Sequence, residues 1–88
     1  MKTIKIDRGK HLCDEPATGH NRWHPDLAAI LEVAEGEELG IETRDSSDGY
    51  LPPDATIDDM AKFSPRVVHP LTGPVAVKGA EPGDLLEV

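Results

Sequence analysis

The residues with the greatest capacity for chemistry are concentrated in one short stretch, residues 19–26, which reads GHNRWHPD. It holds two of the four histidines of the chain and its only tryptophan. Imidazole can bind a metal or move a proton near neutral pH, while amide and guanidinium groups can hold a carbonyl or carboxylate oxygen. The side chains with these capacities are His20, Asn21, Arg22 and His24.

The spacing of the two histidines leaves a metal site and a structural role both open. His20 and His24 are four residues apart, a spacing that places two ligands on one face of a helix. Gly19 and Pro25 disfavour a helix, and in an extended segment about 13 Å would separate the two histidine Cα atoms. One metal ion could then bind both only if the backbone bends. The alternative is that the histidines hydrogen-bond the segment to its neighbours.

An extended conformation would also divide the stretch into a polar face and an anchoring face, because successive side chains then point to opposite sides. Trp23 is expected to pack on the anchoring face. Arg22 suits a carboxylate, either Asp26, Asp45 or one on a partner chain, and we interpret it as one member of a structural salt bridge. The predicted polar face comprises His20, Arg22 and His24, and the opposite face comprises Asn21, Trp23 and Pro25.

Residues 45–54, DSSDGYLPPD, form a second concentration of polar groups and are predicted to be a loop because they are dense in turn-forming residues. Three aspartates in this loop could bind a hard cation, but their spacing differs from that of a calcium-binding loop. We therefore interpret them as solvated turn acids. They are Asp45, Asp48 and Asp54.

The elements that must position these residues are predicted to be short strands joined by turns, because eight prolines and eight glycines in 88 residues disfavour a helical bundle. One short helix is expected over about Ile57 to Phe63, with Thr56 as its N-cap and with Met60 and Phe63 on its inward side. His69 is interpreted as a structural residue within a strand. Strands are predicted at residues 3–6, 27–33, 39–43, 67–77 with a break at Gly73 and Pro74, and 85–88. One or two helical turns at residues 27–35 are the alternative to the second of these strands.

Composition excludes several functions. The chain has 17 acidic and 9 basic residues and a net charge of −8, which disfavours binding to nucleic acid, and it has no polybasic segment for a membrane surface. No apolar run has the length of a membrane span. The single cysteine, Cys13, is compatible with a reducing compartment, so a cytoplasmic location is expected.

The stretch and several flanking runs resemble the amino-terminal part of the acetamidase/formamidase family of amide hydrolases. The resemblance covers residues 14–88, and its runs have the same order and similar separations as in the family. It is carried by Glu15 and Pro16, by GHNRWHPD, by VAEGEELGIETRD at residues 33–45, by Asp48 and Gly49, and by VHPLTGPVAVKGAEPGDLLEV at residues 68–88.

This resemblance implies a mainly β fold, part of a jelly-roll-like β-sandwich. It also implies cytoplasmic oligomers that hydrolyse short amides such as formamide or acetamide to the acid and ammonia, assisted by a divalent metal such as zinc. Under this interpretation His20 and His24 are metal ligands or proton-transfer groups. Asn21 and Arg22 orient or polarise the substrate carbonyl, and Asp45 is a further catalytic candidate.

Members of the family are several times longer, and their glycine-rich motif with histidine and aspartate is absent from this sequence. We therefore expect residues 1–88 to be the small subunit or amino-terminal piece of a two-chain amidase, inactive until a larger chain completes the fold. The apolar residues 85–88 would pair with that chain, or would otherwise form an edge strand. The alternative is a non-catalytic interaction or regulatory module that retains part of the amidase fold.

Overall fold

Short strands dominate the chain, whose residues 1–88 are all described by a computed structural model. The strands are β1 (Lys2–Ile4), β2 (Gly19–His20), β3 (Leu31–Val33), β4 (Leu39–Ile41), β5 (Leu71–Thr72) and β6 (Val75–Val77). One helix, α1, spans Ile57–Lys62, and 3₁₀ turns span Leu12–Asp14, Pro16–Thr18 and Pro65–Val67. The prediction of a mainly β fold with one short helix is confirmed.

The strands associate as three separate pairs. β1 pairs with β4 and β3 pairs with β6, both in parallel, while β2 pairs with β5 in antiparallel orientation. In the antiparallel pair Gly19 lies opposite Thr72 and His20 opposite Leu71. The first residues of the GHNRWHPD stretch are therefore held by a strand from the far end of the chain.

The apolar core is very small. Ile4 and Val33 are the only buried hydrophobic residues, one on each of the two parallel strand pairs. The predicted strand at residues 85–88 is not formed, because no strand of this chain lies beside it to supply hydrogen-bond partners. Leu85 is accordingly 97% exposed. Burial of apolar surface therefore stabilises this chain much less than it does a typical domain.

Helix α1 begins as the sequence predicts. The Thr56 side chain accepts a hydrogen bond from the Asp59 amide, and the Asp59 carboxylate accepts one from the Thr56 amide, which is a capping box. The helix ends one residue early, with Phe63 as its extended C-cap. The prediction that Met60 faces inward is wrong, since Met60 is 55% exposed. None of the helices has the length and apolar character needed to cross a membrane.

Four of the predicted strands, now β1, β3, β4 and β5, are shorter in the structure than in the sequence pattern. A turn at Pro25 and Asp26 delays the strand predicted at residues 27–33, which begins only at Leu31. His69 adopts a positive φ of 58° and is exposed outside any strand, so its assignment to a strand interior is wrong. Its amide donates to the Ser46 carbonyl at 2.9 Å, which joins the segment before β5 to the 45–54 loop.

Gly19 makes the close approach of β2 to β5 possible, because a Cβ at this position would overlap the Leu71 carbonyl oxygen. We expect Gly19→Ala to separate the two strands at a cost of about 1–3 kcal/mol. Amide hydrogen exchange measured by NMR should then show faster exchange throughout the β2–β5 pair. Gly9→Ala is the control, because the added Cβ would meet only the flexible Asp7 carboxylate, at 3.2 Å. This variant should leave amide exchange in the β2–β5 pair unchanged. Equal protection of the pair in both variants would contradict this explanation.

Candidate functional site

A cleft of about 390 Å³ lies beside the β2–β5 pair. Its volume is within the range of small-molecule sites, about 300–1,000 Å³. Three of the predicted site residues line it, whereas His24 and Asp45 do not. The lining residues are Leu12, Cys13, Pro16, Gly19, His20, Asn21, Arg22, Leu27, Asp48, Tyr50, Arg66 and Val67.

Asn21 and Arg22 converge on one oxygen. The Asn21 side-chain amide donates to the Arg66 carbonyl at 2.6 Å, and Nη2 of Arg22 donates to the same carbonyl at 3.3 Å. The predicted alternation of the two side chains is therefore wrong, because the backbone bends at Asn21 and Arg22 after β2 ends. Arg22 also forms no salt bridge with Asp26 or Asp45, since its other hydrogen bond goes to the Asn21 carbonyl at 2.7 Å, and a salt bridge to a partner chain stays a prediction. Together the two side chains hold the Pro65–Val67 turn against the cleft.

The hydrogen bond made by His20 fixes its neutral tautomer. Nδ1 of His20 lies 2.9 Å from the Arg22 carbonyl oxygen. A carbonyl oxygen can only accept, so Nδ1 carries the hydrogen and Nε2 of the neutral ring carries a lone pair. Nε2 makes no hydrogen bond within the chain and is free to accept a proton or bind a metal.

His24 has the opposite arrangement. Its Nδ1 accepts a hydrogen bond from the Asp26 amide at 3.1 Å, so the hydrogen of the neutral ring lies on Nε2. Nδ1 also lies 3.9 Å from the Asp26 carboxylate, but the shorter amide contact determines the neutral tautomer. His24 is exposed and lies outside the cleft lining. The two histidines therefore differ chemically even though their residue type and segment are the same.

Trp23 does not anchor the stretch within this chain. Its side chain is 86% exposed, so the prediction that it packs on the opposite face is wrong here. The physical reason is the small size of the core, whose two buried hydrophobic residues, Ile4 and Val33, lie in the other two strand pairs.

Asp45 closes the 45–54 loop. Its Oδ1 accepts hydrogen bonds from the Ser47 hydroxyl at 2.7 Å, the Ser47 amide at 2.8 Å and the Gly49 amide at 3.2 Å. The bond from the Ser47 hydroxyl, followed by that from the Gly49 amide, lowers the pKa of the Asp45 carboxyl. Such a carboxylate is a weak proton acceptor at neutral pH. Asp45 lies in a separate small polar pocket, and its catalytic role stays a prediction.

A buried ionic cluster beside the cleft was not predicted from the sequence. Arg44, whose side chain is 6% exposed, forms an ion pair with Glu15 and donates to the Lys10 carbonyl at 2.7 Å. Asp48 is 5% exposed, and its Oδ1 lies 3.9 Å from Nη1 of Arg44 without a hydrogen bond of its own. The other oxygen, Oδ2, accepts from the Leu12 amide at 2.8 Å. The interpretation of Asp48 as a solvated turn acid is therefore wrong.

A second feature missed from the sequence is an aromatic stack on the same loop. The rings of His11 and Tyr50 are parallel within 5° at a centroid distance of 3.8 Å, and Nδ1 of His11 donates to the Asp48 carbonyl at 2.7 Å. The Tyr50 hydroxyl lies 3.9 Å from Sγ of Cys13, and this hydrogen bond raises the pKa of the phenol. The stack fixes one side of the cleft. The long separation of these residues in sequence left no local pattern to reveal it.

The donor set of this chain does not by itself fit a metal ion. No group of three or more His, Cys, Asp or Glu side chains is arranged to hold one. A zinc site ordinarily needs at least three protein ligands. Of the two predicted ligands, His20 offers a free Nε2 and His24 in its neutral tautomer does not.

Comparison with known proteins identifies the family of this chain. The sequence model of the Acetamidase/Formamidase family matches residues 5–88, and the chain belongs to this family. It is 41% identical to an acetamidase from Mycolicibacterium smegmatis over 97% of this chain and 21% of that protein. It is 42% identical to a formamidase from Methylophilus methylotrophus over 100% of this chain and 22% of that protein.

Structural comparison leads to the same conclusion. A gamma lactamase from Delftia acidovorans superposes with a TM-score of 0.82 and 40% identity, over 94% of this chain and 20% of that one. The chain therefore spans about one fifth of the length of the relatives it matches. The resemblance inferred from the GHNRWHPD stretch and its flanking runs is confirmed.

We expect Arg44→Met to destabilise the chain by about 3–5 kcal/mol, because it leaves the buried Asp48 carboxylate and the half-buried Glu15 carboxylate without their counter-ion. The shift of the urea midpoint measures this loss. Arg8→Met removes the same charge from an exposed side chain with one long hydrogen bond of 3.5 Å, and should change stability by at most about 0.5 kcal/mol. Equal midpoints for the two variants would show that the buried cluster contributes little.

Proposed function

We propose that this chain is the small subunit or amino-terminal piece of a two-chain amidase that hydrolyses short amides such as formamide or acetamide to the acid and ammonia. Family membership supports the reaction class, and the relatives with the names acetamidase and formamidase support the substrate class. Because the chain spans about one fifth of those relatives, a larger chain would supply the rest of the domain.

The observation that carries the proposal is the free Nε2 of His20 on a cleft of small-molecule size. Hydrolysis of an amide requires a group that accepts a proton from the attacking water and one that donates a proton to the departing amine. An imidazole with Nδ1 held by a carbonyl and Nε2 unoccupied can perform either transfer. We assign this role to His20, with His24 as a weaker candidate because its neutral tautomer presents N–H.

In this proposal Asn21 and Arg22 mainly maintain the shape of the cleft. Their donors are engaged by the Arg66 carbonyl, so they orient the cleft wall through that residue. Arg22 retains further N–H groups, since a guanidinium has five, and these can hold a substrate carbonyl oxygen. Asp45 contributes by closing the loop that follows Arg44.

A divalent metal such as zinc would require ligands from the larger chain, since His20 is the one predicted ligand here with a free ring nitrogen. The exposed apolar residues at positions 85, 86 and 88 would pack on that chain in an oligomer. A cytoplasmic location accords with one unpaired cysteine.

A non-catalytic interaction or regulatory module is the second candidate. The exposed apolar side chains, Trp23 and Leu85 among them, favour it because they offer contact surface to another protein. Such a module would bind a full-length relative or a small ligand without adding activity.

Variants of His20 and His24 distinguish the amidase subunit from the non-catalytic module when they are assayed in the complex of this chain with the larger chain. We expect His20→Ala to lower kcat for acetamide by about 10²- to 10⁴-fold, as for loss of a general acid or base, and His24→Ala to cause a smaller loss. His69→Asn, a substitution at an exposed histidine outside the cleft, should retain full ammonia release. Unchanged hydrolysis in both the His20 and the His24 variant would remove these residues from the mechanism.

A further inference from the structure

Two arginines that line the cleft have no carboxylate partner. The ion pairs of the chain involve Lys2, Arg44 and His24, and neither Arg22 nor Arg66 takes part. Arg22 donates only to main-chain carbonyls, which leave its charge unneutralised. The Arg66 guanidinium makes no hydrogen bond within the chain, since its residue engages others only through the main chain.

The cleft therefore differs in charge from the rest of the molecule. The chain has 17 acidic and 9 basic residues, yet the only acidic residue on the cleft lining is Asp48. Asp48 is 5% exposed, and its carboxylate is directed to Arg44 and to the Leu12 amide. The charges that the cleft presents to a ligand are consequently those of Arg22 and Arg66.

The Arg22 guanidinium is held against the main chain of Arg66. Nη2 of Arg22 lies 3.3 Å from the Arg66 carbonyl oxygen, and the Asn21 amide donates to the same oxygen. The Arg66 amide donates to the Ser64 hydroxyl at 3.3 Å, which holds the start of the Pro65–Val67 turn. The Arg66 side chain therefore emerges from an anchored backbone on the wall that Arg22 shares.

We propose that Arg22 and Arg66 form a binding site for a small carboxylate, the acid that amide hydrolysis releases. Guanidinium groups present paired donors that match the two oxygens of a carboxylate. The neighbouring Leu12, Leu27 and Val67 side chains suit the short acyl group of such an acid better than they suit a phosphate. The identity of the acid rests on the proposed function, whereas the binding of a carboxylate does not.

The site has a kinetic consequence for the assembled enzyme. The acid product would be retained at the cleft after the amine has left, so acetate would compete with acetamide. Ammonium, which has no acceptor for the arginine donors, would not compete.

Binding of acetate to the full 88-residue chain tests the inference without any need for activity. In ¹⁵N NMR titrations at constant ionic strength, acetate should produce saturable shifts at Asn21, Arg66 and Val67, whereas chloride should not. Arg66→Gln should weaken acetate binding about tenfold or more, the effect of losing one charged contact. The matched variant Arg8→Gln, which removes the same charge outside the cleft, should change the affinity less than about twofold.

In the isolated complex, the same variants can be compared by the inhibition constant of acetate against acetamide hydrolysis. This second measurement tests acetate binding even if the NMR spectrum of the free chain is not dispersed. Absence of saturation, or equal weakening in Arg66→Gln and Arg8→Gln, would overturn the inference. Binding by the free chain that disappears in the complex would also overturn it, since an acidic side chain of the larger chain would then occupy the arginines. Acetate binding without amide hydrolysis in the complex would contradict the proposed function alone.

Discussion

The buried guanidinium of Arg44 is the interaction on which this structure depends most. It forms an ion pair with Glu15, lies against Asp48 and donates to the Lys10 carbonyl, and it thereby ties the segment before β2 to the loop after β4. Only two hydrophobic side chains are buried, so the polar cluster provides a connection that a larger apolar core provides in most domains. Burying such charges is costly unless each has its partner, which makes the cluster sensitive to the loss of any member.

The shape of the cleft depends on the Arg44 cluster and on the close approach of the β2 and β5 backbones. Asp48 reaches Leu12 on the cleft floor, while Gly19 lets β2 approach β5 and so directs His20 into the cleft lining. Beyond β2 the bend at Asn21 and Arg22 turns two donors towards the Arg66 carbonyl. The polar side chains of the GHNRWHPD stretch thus have different roles. His20 presents a free ring nitrogen, whereas Asn21 and Arg22 hold the Pro65–Val67 turn.

Local patterns in the sequence predicted those features that depend on neighbouring residues. The Thr56 capping box, the loop at residues 45–54 and the division between β5 and β6 all follow from residue types a few positions apart. The runs flanking GHNRWHPD also carried enough information to indicate the family. The bend after His20 was missed because it depends on the Arg66 carbonyl, 44 residues beyond Arg22. The burial of Asp48 was missed because its partners include Leu12, 36 residues away. Neither contact produces a local pattern of residue types from which it could be predicted.

The central claim is that this chain provides the His20 side of an amide-hydrolysing cleft that a larger chain completes. Native mass spectrometry of the chain purified without denaturant from its own source, combined with an ammonia-release assay on formamide in the same fractions, tests it most directly. We predict that the chain of 9.5 kDa is found in a complex with a larger chain, and that ammonia release co-migrates with this complex. A folded, inactive species of that mass alone, with no activity in any fraction that contains it, would contradict the account.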